Sequence, residues 1–158
     1  MTDEQIIDQI AHSFTNYNLR DIQEINKNQL DFTIAEFILC SCLIDQISGF
    51  RYNTDKVGKR YKQFVIDYLP NYDPDQLYDN LRNKLVHNYS VGSYALTRKA
   101  PHSHFQKING VTYLNLENFI LELKSALDKY INELRNDAAI RQMALSWFTE
   151  YRILALTS

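Results

Sequence analysis

Apolar side chains recur every three or four residues along most of the chain, which is the spacing of amphipathic helices. The second apolar segment is apolar nearly all round, which is typical of a helix buried at the centre of a bundle. Asp45 interrupts its apolar run, and Glu36 lies within it and needs a partner if it is buried; Arg82 is one candidate among several. A polar stretch after the first helix is expected to be a loop with a short helix around Ile22 and Ile25. The pattern predicts helices over residues 3–17, 32–49, 55–69, 74–88, 116–135 and 139–154.

Four of these helices follow a residue whose side chain can accept a hydrogen bond from the first helical turn. Asp73 is the clearest of them, because Pro74 follows it at the first helical position. Pro70 ends the helix before it, and Gly49 ends the apolar one. The predicted capping residues are Asp31, Thr54, Asp73 and Asn115.

The spacing changes after residue 90. Asn109-Gly110 is a preferred two-residue hairpin turn, and it lies between short runs rich in Ile, Val, Thr and Tyr. Tyr94 to Thr97 is a candidate third strand. The sequence therefore predicts one domain over residues 1–158: an all-α bundle of five to six helices with a small β-hairpin insertion at about 94–114.

Composition agrees with a folded helical protein. The 158 residues are 45% hydrophobic, and four Gly and three Pro are too few for a turn-rich β-sandwich. The net charge of −2 argues against general nucleic-acid binding. However, the stretch from Arg51 to Lys107 holds ten Lys and Arg against five Asp, whereas the remainder holds seven basic and fourteen acidic residues. A basic middle of this kind suggests a local site for an anion.

The N-terminus lacks the basic start and apolar run of a signal peptide. The longest strongly apolar stretch, Phe37 to Ile47, is too short to span a bilayer. Cys40 and Cys42 stand two apart on a helix and point in different directions, so two reduced core thiols are expected. These features predict a cytoplasmic protein with no membrane partner.

The fourth helix, inside the basic middle, carries an unusual set of polar groups in LRNKLVHNYS. At about 100° per residue, Asn83 and His87 share a face opposite the core, and Arg82 lies about 140° from His87. The same geometry puts Tyr89 on the core side. Arginine offers a planar fork that matches phosphate, and histidine titrates near neutral pH. Together they are the minimum for RNA cleavage without a metal: His87 would move a proton and Arg82 would stabilise charge on phosphorus.

The motif Arg82-Asn83-x3-His87-x-Tyr89 resembles the signature of the HEPN superfamily of helical domains. The resemblance implies metal-independent endoribonuclease activity in a toxin or phage-defence effector, and a homodimer with two motifs in one cleft. By position, Arg82 and His87 are catalytic and Asn83 supports them. Tyr89 matches the extended form seen in HEPN toxins paired with nucleotidyltransferase antitoxins, where it is a modification site.

The remaining expectations concern ligands. Lys84, Arg60 and Lys59 are the basic residues expected to bind RNA; DNA is not an expected ligand. His102 and His104 lack a third ligand, so surface loop histidines are expected rather than a metal site, and no cofactor motif is found. Two alternatives stay open: a catalytically inactive HEPN-like module that binds nucleotide, RNA or a protein partner, and a plain structural helical domain.

Overall fold

The computed structural model describes residues 1–28, 32–90, 92–98 and 104–151. In these ranges the chain forms six helices and a three-stranded sheet, which confirms the predicted all-α bundle with a small β insertion. The predicted caps at Asp31 and the predicted helix beyond residue 151 lie outside the described residues.

The first helix is longer than predicted. Helix α1 (residues 3–27) joins two α-helical segments, Asp3–Ser13 and Arg20–Lys27, through one π-helical segment, Phe14–Leu19. In the π segment the N–H of Arg20 reaches the carbonyl of Thr15, five residues back. The predicted short helix around Ile22 and Ile25 is found, but the loop expected before it is wrong, because Leu19 and Ile22 are buried against the bundle and keep the polar stretch helical.

Helix α2 (Thr33–Tyr52) is the central helix, since it contacts the other five helices and the first strand. The helix continues past Gly49, where it was predicted to stop. Gly49 is instead required for packing, because a Cβ on this residue would lie 2.7 Å from the indole ring of Trp147. The helix ends at Asn53, whose backbone is left-handed. Although α2 is long and apolar enough to cross a membrane, 56% of its most apolar stretch is buried inside the bundle.

Helix α3 (Val57–Tyr68) begins two residues later than predicted. Thr54 is not its N-cap: the Thr54 hydroxyl accepts a hydrogen bond from the N–H of Lys56 in the turn before the helix. The ring of Tyr78 lies against Gly58 and packs edge-on against Tyr61. This close contact sets α3 beside the next helix.

Helix α4 (residues 74–88) carries the motif. Asp73 accepts from the N–H of Gln76 and Pro74 follows it, which confirms the predicted start. Only its two ends are α-helical, Pro74–Leu77 and Val86–Asn88; the middle, Tyr78–Leu85, is π-helical. This departure from regular spacing was not predicted.

The insertion forms a sheet in the strand order β1-β3-β2. Strands β2 (Lys107–Ile108) and β3 (Val111–Asn115) pair antiparallel around Asn109-Gly110, and both turn residues have positive φ, as a type I′ hairpin requires. Strand β1 (Tyr94–Thr97) pairs parallel with β3. The predicted hairpin and third strand are both found.

Two helices complete the bundle. Helix α5 (Leu116–Asn136) starts at the predicted cap, since Asn115 accepts from the N–H of Asn118, and α6 (Ala138–Glu150) follows after Asp137. The predicted core face of α5 is buried apart from Ile131, which is half-buried.

An ion pair docks the insertion on the bundle. Glu36 is fully buried and lies 3.1 Å from Nη1 of Arg98, which follows β1; Nη2 of Arg98 donates to the carbonyl of Asn26 at the end of α1. The suggested pairing of Glu36 with Arg82 is therefore wrong, because Arg82 pairs elsewhere. Burial raises the pKa of Glu36, and the charge of Arg98 and its hydrogen bond oppose that shift.

We predict that Arg98→Met destabilises the protein by about 3–5 kcal/mol, because it leaves a buried carboxyl without its cation. A loss of that size lowers Tm by roughly 10 °C, at about 2–4 °C per kcal/mol for this chain length. The folded protein holds the Glu36 proton more tightly than the unfolded chain, so stability falls as pH rises toward the folded pKa. Without Arg98 the pKa of Glu36 in the folded protein rises further. The stability lost in Arg98→Met is therefore greater at about pH 7.5 than at about pH 5. Thermal melts at both pH values measure it.

Arg135→Met is the matched control, because Arg135 forms an exposed ion pair with Asp8. Exposed pairs contribute about 0–1 kcal/mol. A loss in Arg98→Met no larger than in this control, or one that does not depend on pH, contradicts the assignment.

Candidate active site

The π-helical turn of α4 determines how the motif residues stand to one another. In this turn backbone hydrogen bonds run from residue i to i+5, as in the bond from the N–H of Val86 to the carbonyl of Leu81. Side chains five apart therefore lie on neighbouring turns of one face. Regular α-helical spacing separates Arg82 and His87 by about 140°, and the π turn removes that separation.

Arg82 and His87 are in direct contact. Nη1 of Arg82 lies 2.8 Å from Nε2 of His87, and the imidazole is exposed to solvent. A guanidinium has only donors, so in this bond Nε2 accepts and carries no proton. The neutral ring then holds its proton on Nδ1. The pair is thus a cation hydrogen-bonded to a basic nitrogen on an open surface, which is the arrangement that a proton-transfer site requires.

A carboxylate from the central helix holds Arg82 from the other side. Nε and Nη2 of Arg82 lie 3.3 and 3.2 Å from Oδ2 of Asp45, and Nη2 of Arg60 lies 2.8 Å from Oδ1. Asp45 was not singled out from the sequence. The signal was present, because an acid that interrupts an apolar helix needs a partner, as Glu36 does.

Arg60 is enclosed more tightly than an RNA-binding side chain would be. Its side chain is 12% exposed, it donates to the carbonyl of Thr54, and its guanidinium lies 5.0 Å from the ring centre of Trp147. These contacts favour a role in fixing Asp45 over direct contact with an anion.

The remaining donors of Arg82 point to what the site can bind. Arginine has five N–H groups; two face Asp45 and one faces His87, which leaves one on Nη1 and one on Nη2. Two N–H groups on adjacent nitrogens match two oxygens of a phosphate. Arg82 can therefore bind a phosphate without releasing Asp45.

The other predicted residues lie around this pair. Asn83 is half-buried, with its amide 3.5 Å from Oδ1 of Asp79 on the preceding turn. Lys84 is exposed and its ammonium lies 3.3 Å from Oδ1 of Asn80. Lys59 is exposed on α3. The structure thus brings Arg82 and His87 together, and it places Asn83 and Lys84 on the same helix.

Tyr89 does not face the core. It ends α4 with a left-handed backbone (φ 54°), and its side chain is 70% exposed. The prediction from regular helical spacing was wrong because the π turn and the left-handed residue both break that spacing. A left-handed tyrosine is uncommon, and such residues cluster at functional sites. Its hydroxyl is accessible for modification.

An apolar surface connects Tyr89 to the Arg82–Asp45 contact. Along α2, residues three or four apart share one outward face that leads to Asp45, and Tyr89 lines a groove of about 310 Å³ with the start of this helix. We call this face the apolar stripe; its residues are Phe32, Ala35, Leu39 and Cys42. The expectation of two core thiols is half right, since Cys40 is buried and Cys42 exposed.

His104 is not a surface loop histidine. The N–H of Asn115 donates to its Nδ1 at 3.1 Å, and its Nε2 lies 3.7 Å from a carboxylate oxygen of Glu122, to which Tyr72 also donates. Desolvation lowers the pKa of His104, and the charge of Glu122 opposes this. His104 therefore joins β3 to α5 and belongs to the fold; His102 lies outside the described residues.

Comparison with known proteins adds no relative: no family model, no curated protein and no solved structure matches the chain. The functional assignment therefore rests on the geometry of the Arg82 site and on the motif.

Proposed function

We propose that the protein is a metal-independent endoribonuclease of HEPN type. The observation that carries the proposal is the 2.8 Å contact between Arg82 and an exposed His87. An inactive binding module would tolerate a buried or misdirected histidine, whereas cleavage requires both groups together on an accessible surface. The two outward N–H groups of Arg82 supply the place for the phosphate. In this role the protein is a cytoplasmic toxin or phage-defence effector.

The reaction follows from where the groups stand. The RNA 2′-oxygen attacks phosphorus and the bond from phosphorus to the 5′-oxygen breaks, which leaves a 2′,3′-cyclic phosphate and a 5′-hydroxyl. When RNA binds, the 2′-hydroxyl replaces Arg82 as the hydrogen-bond partner of Nε2 of His87, which then takes its proton. The leaving 5′-oxygen takes a proton from water. Arg82 binds two phosphate oxygens and stabilises the charge that develops on them. DNA has no 2′-hydroxyl, so it is not a substrate.

We also propose that the protein forms a homodimer through the apolar stripe. The apolar stripe is an exposed hydrophobic face on a folded domain, and such faces mark protein contacts. It lies between the Arg82–Asp45 contact and Tyr89, so a second copy docked on it about a two-fold axis brings two motifs to one cleft. A homodimer therefore covers the stripe and doubles the single Arg and His of each chain.

A modifying partner also fits the site. Tyr89 presents its hydroxyl to solvent two residues from His87. A nucleotidyl group on that oxygen adds negative charge and bulk beside Arg82, where it competes with the RNA phosphate. We propose Tyr89 as the acceptor for a nucleotidyltransferase antitoxin.

A binding module without catalysis is the alternative, and variants distinguish the two. In EDTA, wild-type protein is expected to cut single-stranded RNA. His87→Ala loses at least the ~10²-fold contributed by a general acid or base, and Arg82→Ala loses about 10²–10³-fold. Lys84→Ala raises KM and leaves kcat near wild type, because Lys84 contributes only attraction for the phosphates. Initial rates on a fluorescent RNA measure these values.

The matched control is His12→Ala. His12 is also exposed and also hydrogen-bonded within a helix, to Asn16 at 2.8 Å, but it belongs to α1. Its variant keeps the wild-type rate. RNA cleavage that survives in His87→Ala removes the catalytic proposal, and RNA binding without cleavage by the wild type favours the inactive module.

For assembly, we predict by light scattering a mass of twice the 18.6 kDa chain at tens of micromolar protein. Leu39→Glu places a charge in the apolar stripe and converts the dimer to monomer. Leu121→Glu is the control, because Leu121 is equally an exposed leucine but lies on α5. A wild-type monomer, or a dimer that withstands Leu39→Glu, contradicts this interface.

A further inference from the structure

Asp45, on the central helix, contacts the guanidinium groups of both Arg60 and Arg82. Its two oxygens are divided between them: Oδ1 takes Nη2 of Arg60 at 2.8 Å, and Oδ2 takes Nε and Nη2 of Arg82. A carboxylate has no N–H or O–H to donate to a phosphate, and its negative charge repels the anion. Its effect on a bound phosphate must therefore pass through Arg82.

Arg60 is largely buried and holds Asp45 in place. Its guanidinium is held on three sides, by Asp45, by the carbonyl of Thr54 and by the face of Trp147. Trp147 is itself fixed, because its indole lies on the bare backbone of Gly49, one turn of α2 beyond Asp45. The aspartate is thus tied to largely buried side chains rather than to an exposed surface charge.

We propose that Asp45, anchored by Arg60, is the positioning residue that sets the Arg82–His87 pair. By fixing one edge of the Arg82 guanidinium, it aims Nη1 at Nε2 of His87 and leaves two N–H groups with no acceptor among the described residues. The imidazole is then held with its proton on Nδ1, and the bond from Arg82 keeps Nε2 unprotonated until the RNA 2′-hydroxyl takes its place. The expected change in kcat rests on the proposed ribonuclease function. The expected change in the protonated nitrogen of the His87 ring rests on the hydrogen bonds alone.

The test is Asp45→Asn, which keeps the shape of the side chain. An amide has one acceptor oxygen and one donor nitrogen, so it can hold only one of the two guanidinium groups and repels the other. We expect kcat to fall by about 10²-fold, the typical cost of misplacing a reacting group by about 1 Å, with KM changed only a few-fold. The matched control is Asp75→Asn, on the first turn of α4, whose exposed carboxylate pairs with Lys62; it keeps wild-type kcat.

Nitrogen-15 NMR of the His87 ring supplies a readout that a merely structural aspartate does not change. At about pH 8, wild-type protein should show the proton on Nδ1 and a bare Nε2. Asp45→Asn should show a mixture of the two neutral forms, because Arg82 no longer holds Nε2. A kcat near wild type, or a retained Nδ1–H form whatever the kcat, overturns the inference while leaving ribonuclease activity intact.

Two further outcomes remain decisive. If wild-type protein does not cut RNA, the proposed function fails, and the ring tautomer alone decides the role of Asp45. If Asp45→Asn does not fold, Arg60→Met replaces it: the methionine keeps an apolar stem over Trp147 and removes the anchor. Loss of the single tautomer in that variant supports the inference, and a wild-type tautomer overturns it.

Discussion

The i→i+5 hydrogen bonding of residues 78–85 is the constraint on which the site depends. A regular α-helix with the same sequence directs Arg82 and His87 about 140° apart around α4. The π turn places them on neighbouring turns and in contact at 2.8 Å. Such turns are rare and occur frequently at functional sites, which agrees with a role for this one.

The π turn aligns the pair, and the bundle holds it. Asp45 belongs to α2, the helix that contacts all the others, so the orientation of Arg82 is tied to the core through ion pairs that solvent screens only in part. Towards the other end of the motif the apolar stripe and Tyr89 are exposed. One side of α4 thus carries the polar pair, and the neighbouring surface is apolar and exposed, which agrees with the proposed homodimer.

The sequence contained most of the fold and half of the site. Local signals with a direct physical meaning were sufficient for the Asp73 and Asn115 caps and for the Asn109-Gly110 turn. The π segments were not predictable, because they depend on which residues the bundle buries, not on local spacing. Tyr89 was misplaced for the same reason. Asp45 was missed because its partners are 15 and 37 residues away along the chain.

The chemical form of the RNA ends after cleavage in EDTA tests the central claim most directly. In the proposed reaction the nucleophile is the RNA's own 2′-hydroxyl, so mass spectrometry should find a 2′,3′-cyclic phosphate on one fragment and a 5′-hydroxyl on the other. An otherwise identical RNA with a single 2′-deoxy nucleotide at the cut position should stay intact there. Fragments ending in 3′-hydroxyl and 5′-phosphate, cleavage that appears only with added magnesium, or equal attack on DNA would contradict the account.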